Sequence, residues 1–282
     1  MTNKTTITLA AALLCAAAHA QTATPEVPAS AAAPAPAATP AVTGNLTLVS
    51  DYRFRGISQS WLLPAVQGGL DYTHASGFYL GSWNSSVSSN SYNNGASLEM
   101  DLYGGWRFEP VKDLTADIGV LHYYYPGAKL NSAAAMPSGQ TYDNTEIYVA
   151  LTEGPFNAKL SYAVTDYFGL NSKTAGYAYW SVLPARGDSK GTTYLDLNYN
   201  PDLGNGLTLG LHLGRTTVSN YGELSYTDYK LSLSKDVGGF TVTGALVGTN
   251  ANEAFYQAGN SAGADAKKLG NSTLVLSVGK TF

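Results

Sequence analysis

Twelve short segments with apolar residues at every second position run from about residue 45 to the C-terminus. The turns between them alternate long, short, long, short. Successive strand side chains point to opposite faces, so each segment has one apolar and one polar face. Such a sheet suits lipid on one side and a lumen on the other, and unequal turns distinguish its two ends. A soluble β-sandwich has no reason to make every second turn long. The expected fold is all-β: a transmembrane antiparallel up-and-down β-barrel of about twelve strands, with short periplasmic turns and long extracellular loops.

Composition points the same way. Charged residues make up 13% of the chain, against roughly 25% in soluble domains. A membrane helix needs about 20 consecutive apolar residues; the sequence has no such run, and its mean hydropathy is −0.09. The net charge of −4 offers no basic patch for nucleic acid.

The N-terminus reads as a signal peptide over residues 1–20. Lys4 gives the positive end, Ile7 to Ala18 is apolar but short, and Ala18-His19-Ala20 is a small-x-small cleavage site. The single cysteine, Cys15, follows Leu14 rather than the small residue that lipidation favours. The mature chain therefore has no disulfide framework. Residues 21–43 are rich in Ala, Pro and Thr, a composition that favours an extended, disordered periplasmic spacer. The barrel is expected over residues 44–282.

The first strand, Asn45 to Arg55, places Leu46, Leu48, Tyr52 and Phe54 toward lipid and Asp51, Arg53 and Arg55 toward the lumen. The same phase assignment turns Asp71, Glu99, Asp101, Arg107, Asp117, Glu146, Lys159, Asp196, Asp228 and Lys230 inward. These pore-lining candidates comprise eight acids and five bases, an excess that slightly favours cations. The third strand has two possible phases, with either Tyr79 and Trp83 or Phe78 and Leu80 outward. Eight-stranded barrels are filled by side chains and sixteen-stranded ones are open. Twelve lies between, so the charges either line a pore or pair and fill the interior.

The last strand sets Leu274, Leu276, Val278 and Phe282 on one face. A terminal Phe behind alternating apolar residues is similar to the signal read by the outer-membrane assembly machinery, with Lys280 departing from it. The expected surroundings are outer-membrane lipid, that machinery and small hydrophilic solutes.

Enzyme signals are weak, and neither a cofactor nor a metal is expected. Gly259-Asn260-Ser261-Ala262-Gly263 matches a nucleophile elbow but lacks the flanking strand and helix. His74 and Ser76 have His-x-Ser spacing but fall in a periplasmic turn. His122 faces outward near an aromatic rim. Tyr177, Tyr179 and Trp180 lie in a long outer loop and could stack on a sugar or surface partner. The leading expectation is a porin-like channel for passive diffusion. The alternatives are a closed barrel with a structural or surface-recognition role, and an outer-membrane hydrolase.

The stretch Gly44-Asn45-Leu46-Thr47-Leu48-Val49-Ser50-Asp51-Tyr52-Arg53-Phe54-Arg55-Gly56-Ile57-Ser58-Gln59-Ser60 resembles the opening of TorF-type porins. Pro64 to Tyr72, His74 to Tyr79 and Asp101 to Trp106 continue the resemblance. It implies a Gram-negative outer-membrane barrel and brings no catalytic or ligand residues with it.

Overall fold

A computed structural model describes residues 41–92, 96–130, 139–176, 182–259 and 265–282. Twelve strands form one closed antiparallel sheet: β1 Ala41–Val49, β2 Ala65–Thr73, β3 Phe78–Ser86, β4 Leu98–Val111, β5 Leu114–Tyr124, β6 Asn144–Glu153, β7 Phe156–Ala163, β8 Thr193–Tyr199, β9 Leu207–Thr217, β10 Tyr226–Val237, β11 Phe240–Thr249 and β12 Thr273–Thr281. Each strand pairs with its neighbour in sequence, and β1 pairs with β12 to close the ring. The short Asp202–Gly204 segment extends the turn between β8 and β9. The terminal residue joins the ladder: Gly44 N–H donates to the Phe282 carbonyl at 2.7 Å, and Phe282 N–H donates back at 2.9 Å. Closure leaves no strand edge to lipid, which cannot hydrogen-bond it.

The exterior is an apolar belt. Leu46, Leu70, Leu80, Ile147, Leu231 and Leu276 are all exposed on outward faces. Contiguous with their neighbours, they far exceed the few hundred Å² of apolar patch found on soluble monomers. Phe78, Trp106 and Phe108 stack at the rim that carries the short turns, with centroids 6.1 and 4.4 Å apart. Phe78 and Leu80 face outward and Tyr79 is buried, which settles the phase of β3.

Two boundaries correct the sequence reading. The barrel begins at Ala41, because Ala41, Val42 and Thr43 already pair with Thr73, Tyr72 and Asp71. The first strand also stops at Val49, so Asp51, Arg53 and Arg55 are not wall residues. Instead the chain turns into the barrel as a small hairpin in which Arg53 pairs with Ser58 and Phe54 with Ile57. Arg55 and Gly56 have φ of 46° and 78°, the left-handed pair of a two-residue hairpin turn. A continuing wall strand cannot hold two such residues. Tyr52 and Phe54, expected on the lipid face, are 0% and 7% exposed in the interior.

The hairpin tip is jammed against the wall. A Cβ at Gly56 would lie 2.4 Å from Thr249 Cγ2 and 2.9 Å from Asp228 Cβ. Gly56→Ala is expected to destabilise the folded barrel by about 1–3 kcal/mol, read as a lower unfolding midpoint in detergent. Gly238 also has positive φ but has open space around its Cβ position, so Gly238→Ala should cost the backbone contribution alone, about 1 kcal/mol. Equal losses would show that backbone conformation, not tip contact, sets the effect.

Candidate functional site

The lumen divides into two halves. In the outer half every residue from Asp51 to Ser60 is buried. Asp51 organises the hairpin base: its carboxylate accepts from Arg53 Nε at 2.5 Å, Ser58 Oγ at 2.6 Å and Ser60 Oγ at 3.1 Å. Arg53 Nη1 donates to the carbonyls of Gly56, Leu269 and Asn271. One guanidinium thus ties the hairpin both to itself and to the last outer loop. Trp61 adds a second tie, its Nε1 donating to the Ala258 carbonyl at 2.8 Å while Lys267 sits over its ring.

Arg55 reaches across the lumen to β6. Its Nη2 donates to both oxygens of Glu146, at 2.9 and 2.7 Å. The guanidinium also lies 4.1 Å from the centre of the Tyr194 ring on β8. Burial works to lower the Arg55 pKa, but the Glu146 carboxylate and the hydroxyls of Tyr167, Tyr123 and Tyr194 outweigh it and hold the group above its usual range. Burial pushes the Tyr167 phenol up to about 12, so it stays neutral beside the cation. Arg55 Nε is buried with no partner among the described residues.

Aromatic packing completes the plug. Phe54 meets Tyr123 and Phe168 edge-on, each at 5.5 Å. Tyr52 packs on Trp83 and donates to Glu99 Oε1 at 2.7 Å, and Tyr125 donates to Oε2 at 3.0 Å. Leu130, Tyr142, Leu170, Tyr221 and Leu224 from the outer loops join the same buried cluster. The apolar core of this protein is therefore thickened in the barrel mouth.

The half nearer the short turns is built differently. Tyr103 sits directly opposite Gly81, Tyr79 opposite Gly105 and Tyr148 opposite Gly119. In each pair the ring occupies the space of the missing Cβ, so the tyrosines lie against the wall rather than across the lumen. Their hydroxyls are spent on wall carboxylates: Tyr103 donates to Asp71 and Tyr79 to Asp117, both at 2.6 Å, and Tyr79 also meets the Tyr148 hydroxyl. Arg107 pairs with Asp117 at 3.0 Å, and Lys159 lies over the Tyr148 ring.

Between the halves, His212 on β9 bridges two carboxylates, with Nδ1 2.9 Å from Asp196 and Nε2 2.7 Å from Asp228. Tyr194 donates to the same Asp228 oxygen. Asp101 is 0% exposed, and neither of its oxygens has a partner among the described residues.

All the charged residues named from sequence face the interior, but they do not form one ring. Asp51, Arg53 and Arg55 belong to the plug. Glu99, Asp101 and Glu146 lie buried beneath it. Asp196 and Asp228 hold His212. Asp71, Arg107, Asp117, Lys159 and Lys230 are the partly exposed ones. The hairpin is what sequence reasoning missed, although Arg55-Gly56 carried a turn signal of the X-Gly kind. Leu274, Leu276, Val278 and Phe282 are exposed on the outer face.

Of the hydrolase candidates, only His74 and Ser76 meet. His74 Nδ1 is 2.7 Å from Ser76 Oγ in an exposed turn. His122 lies toward the opposite end, stacked on Tyr124 and bonded to Thr145. Tyr177, Tyr179, Trp180 and most of the Gly259 to Gly263 motif lie outside the described residues, as do residues 1–40. Among the described residues no group of three or more His, Cys, Asp or Glu is placed to hold a metal ion, and none is long and apolar enough as a helix to cross a membrane.

Removing one partner of a buried ion pair strands the other charge, typically at a cost of about 3–5 kcal/mol. Arg55→Ala and Glu146→Ala should each destabilise the folded barrel by about that much. The double variant should be less destabilised than the sum of the two. A double-mutant cycle on detergent-solubilised protein measures this coupling, and additive losses would show that the pair does not act as a unit.

No curated protein matches the chain. Among solved structures, it is similar to the KdgM porin in complex with disordered oligogalacturonate, with 10% identity and a TM-score of 0.46 over 86% of this chain and 98% of that one. It is similar to the NanC porin at 9% identity and a TM-score of 0.46, over the same shares of each chain. A model of a bacterial protein family of unknown function, Gcw_chp, matches residues 32–282. The chain is a member of the Gcw_chp family.

Proposed function

We propose that this protein is a porin-like channel of the bacterial outer membrane, passing small hydrophilic solutes or ions, and that the hairpin holds it shut at the outer end. One observation carries this reading. The outer half is blocked by a returning loop rather than by wall side chains, whereas the inner half keeps its tyrosines flat over glycines. The resemblance to TorF-type porins, the signal-like leader and the exposed apolar face of Phe282 support export and insertion by the outer-membrane assembly machinery. No catalytic role is part of this reading.

The hairpin also sets the charge that a solute would meet. With it in place, the partly exposed lumen charges are Asp71 and Asp117 against Arg107, Lys159 and Lys230. Its withdrawal removes Asp51, Arg53 and Arg55 and brings Glu99, Asp101 and Glu146 to water. Together with Asp196 and Asp228, the wall then holds seven acids against three bases and His212. Charged linings of one sign select the opposite ion, so the open state prefers cations. The unpartnered Arg55 Nε costs the closed state about 1–3 kcal/mol, which favours a latch that can release.

A second reading, a closed barrel with a structural or surface-recognition role, is favoured by the dense packing of the mouth. Conductance in a planar bilayer under a salt gradient separates the two. Wild type should be mostly silent with rare openings, and Arg55→Ala should open more often and pass cations preferentially. Adding Glu99→Gln and Asp101→Asn should reduce that preference. Silence from both wild type and Arg55→Ala, each shown to be folded by heat-modifiable migration, would favour the closed barrel.

A further inference from the structure

Above the hairpin lies a cavity of about 110 Å³. Its lining includes Phe54 and Ile57 of the hairpin, Tyr167 and Phe168 of the long fourth outer loop, Tyr226 of β10 and Tyr256 of the last loop. Nothing in the fold requires this space. It is a partly open cleft between the hairpin and the outer loops, so a ligand can enter it from solution. One water takes roughly 30 Å³, and a cavity of about 150 Å³ accepts benzene. The volume therefore suits one six-membered ring.

The polar groups narrow the class further. Tyr256 spends its hydroxyl on the Leu224 carbonyl at 2.6 Å, and Ser58 donates to Asp51. Ser91, which also lines the cavity, has a buried hydroxyl with no partner among the described residues. A buried unpaired hydroxyl is unfavourable unless something completes it. Among the described residues no charged side chain lines the space, so a charged ligand would go uncompensated there. We infer that this cavity is a binding site for a small uncharged aromatic alcohol, its ring held among the aromatic side chains and its hydroxyl bonded to Ser91.

The site has a consequence for the hairpin. Phe54, Ile57, Ser58 and Gln59 are part of its lining, so the site exists only while the hairpin is inside. A ligand that binds one conformer alone shifts the population toward it. Occupancy therefore holds the hairpin in place; that this closes a channel rests on the function proposed above, but the binding itself does not.

The test is ¹⁹F NMR of 4-fluorophenol with the full-length mature chain in lipid nanodiscs, against empty nanodiscs that report partition into lipid. Wild type should add a saturable component. Leu224→Phe, which fills the cavity, should weaken it at least about tenfold. Ser91→Ala removes one hydroxyl without changing the packing and should weaken it about fivefold, the equivalent of one hydrogen bond. Arg55 is not itself in the lining, although it bonds Tyr167 and packs on Phe54, which are; Arg55→Ala should bind several-fold more weakly, because fewer molecules hold the hairpin inside. Absence of a saturable component in wild type, or unchanged affinity in both Leu224→Phe and Ser91→Ala, would overturn the site. Unchanged affinity in Arg55→Ala alone would overturn the coupling. Retained binding in a protein silent in bilayers would leave the site standing and remove the channel.

Discussion

Lipid supplies no hydrogen bonds, and every other feature of this protein follows from the ladder that answers that constraint. Twelve antiparallel strands close when β1 pairs with β12 and the Gly44 and Phe282 backbones exchange hydrogen bonds. Once the ring is shut, side-chain alternation is fixed around its circumference. Leucine, valine and aromatic residues cover the outside, and the polar half of each strand is forced inward. The apolar surface that a soluble protein would bury is left outside, so the interior must be stabilised by other means.

Two solutions to that problem divide the lumen. Toward the short-turn end, large residues are laid flat: tyrosines occupy the space left by glycines on the next strand, and their hydroxyls satisfy Asp71 and Asp117. A glycine weakens a strand when nothing covers it, and a cross-strand aromatic compensates. The abundance of both residue types, 30 glycines and 20 tyrosines, has part of its explanation in these pairs. Toward the outside, the chain itself fills the lumen. The hairpin carries its own cations inward, where Arg53 meets Asp51 and backbone carbonyls and Arg55 meets Glu146. Buried charges are tolerable when paired and hydrogen-bonded, and the wall acids of the outer half would otherwise face one another.

The plug also accounts for the outer loops. Aromatic and leucine side chains at 125, 130, 142, 168, 170, 221 and 224 converge on the hairpin. The buried cluster of the barrel is thereby thickened at the mouth and runs on to Tyr79, Tyr103 and Tyr148 in the other half. If the proposed channel function holds, the barrel's stability and its permeability rest on the same contacts, because anything that loosens Arg55 or Phe54 also loosens the cap above them.

Much of the barrel was legible in the sequence. Period-two alternation places β2 at Ala65–Thr73 and the starts of β3, β4, β5, β7, β9 and β11, because strand side chains must face either lipid or lumen. The first strand shows where that logic stops. Leu46, Leu48, Tyr52 and Phe54 keep one phase across the end of β1, and the inner hairpin alternates as a wall strand does. Only the tertiary structure shows Tyr52 and Phe54 surrounded by protein and Arg55 reaching β6. The phase of β3 was similarly open, since Phe78 and Leu80 are as apolar as Tyr79 and Trp83, and the glycine opposite Tyr79 decided it. Sequence by itself determined the strand rhythm and the inward charges, because both follow from local periodicity. The plug, the ion pairs and the cavity were decided by tertiary structure, because each joins residues far apart in the chain whose meeting depends on the curvature of a closed wall.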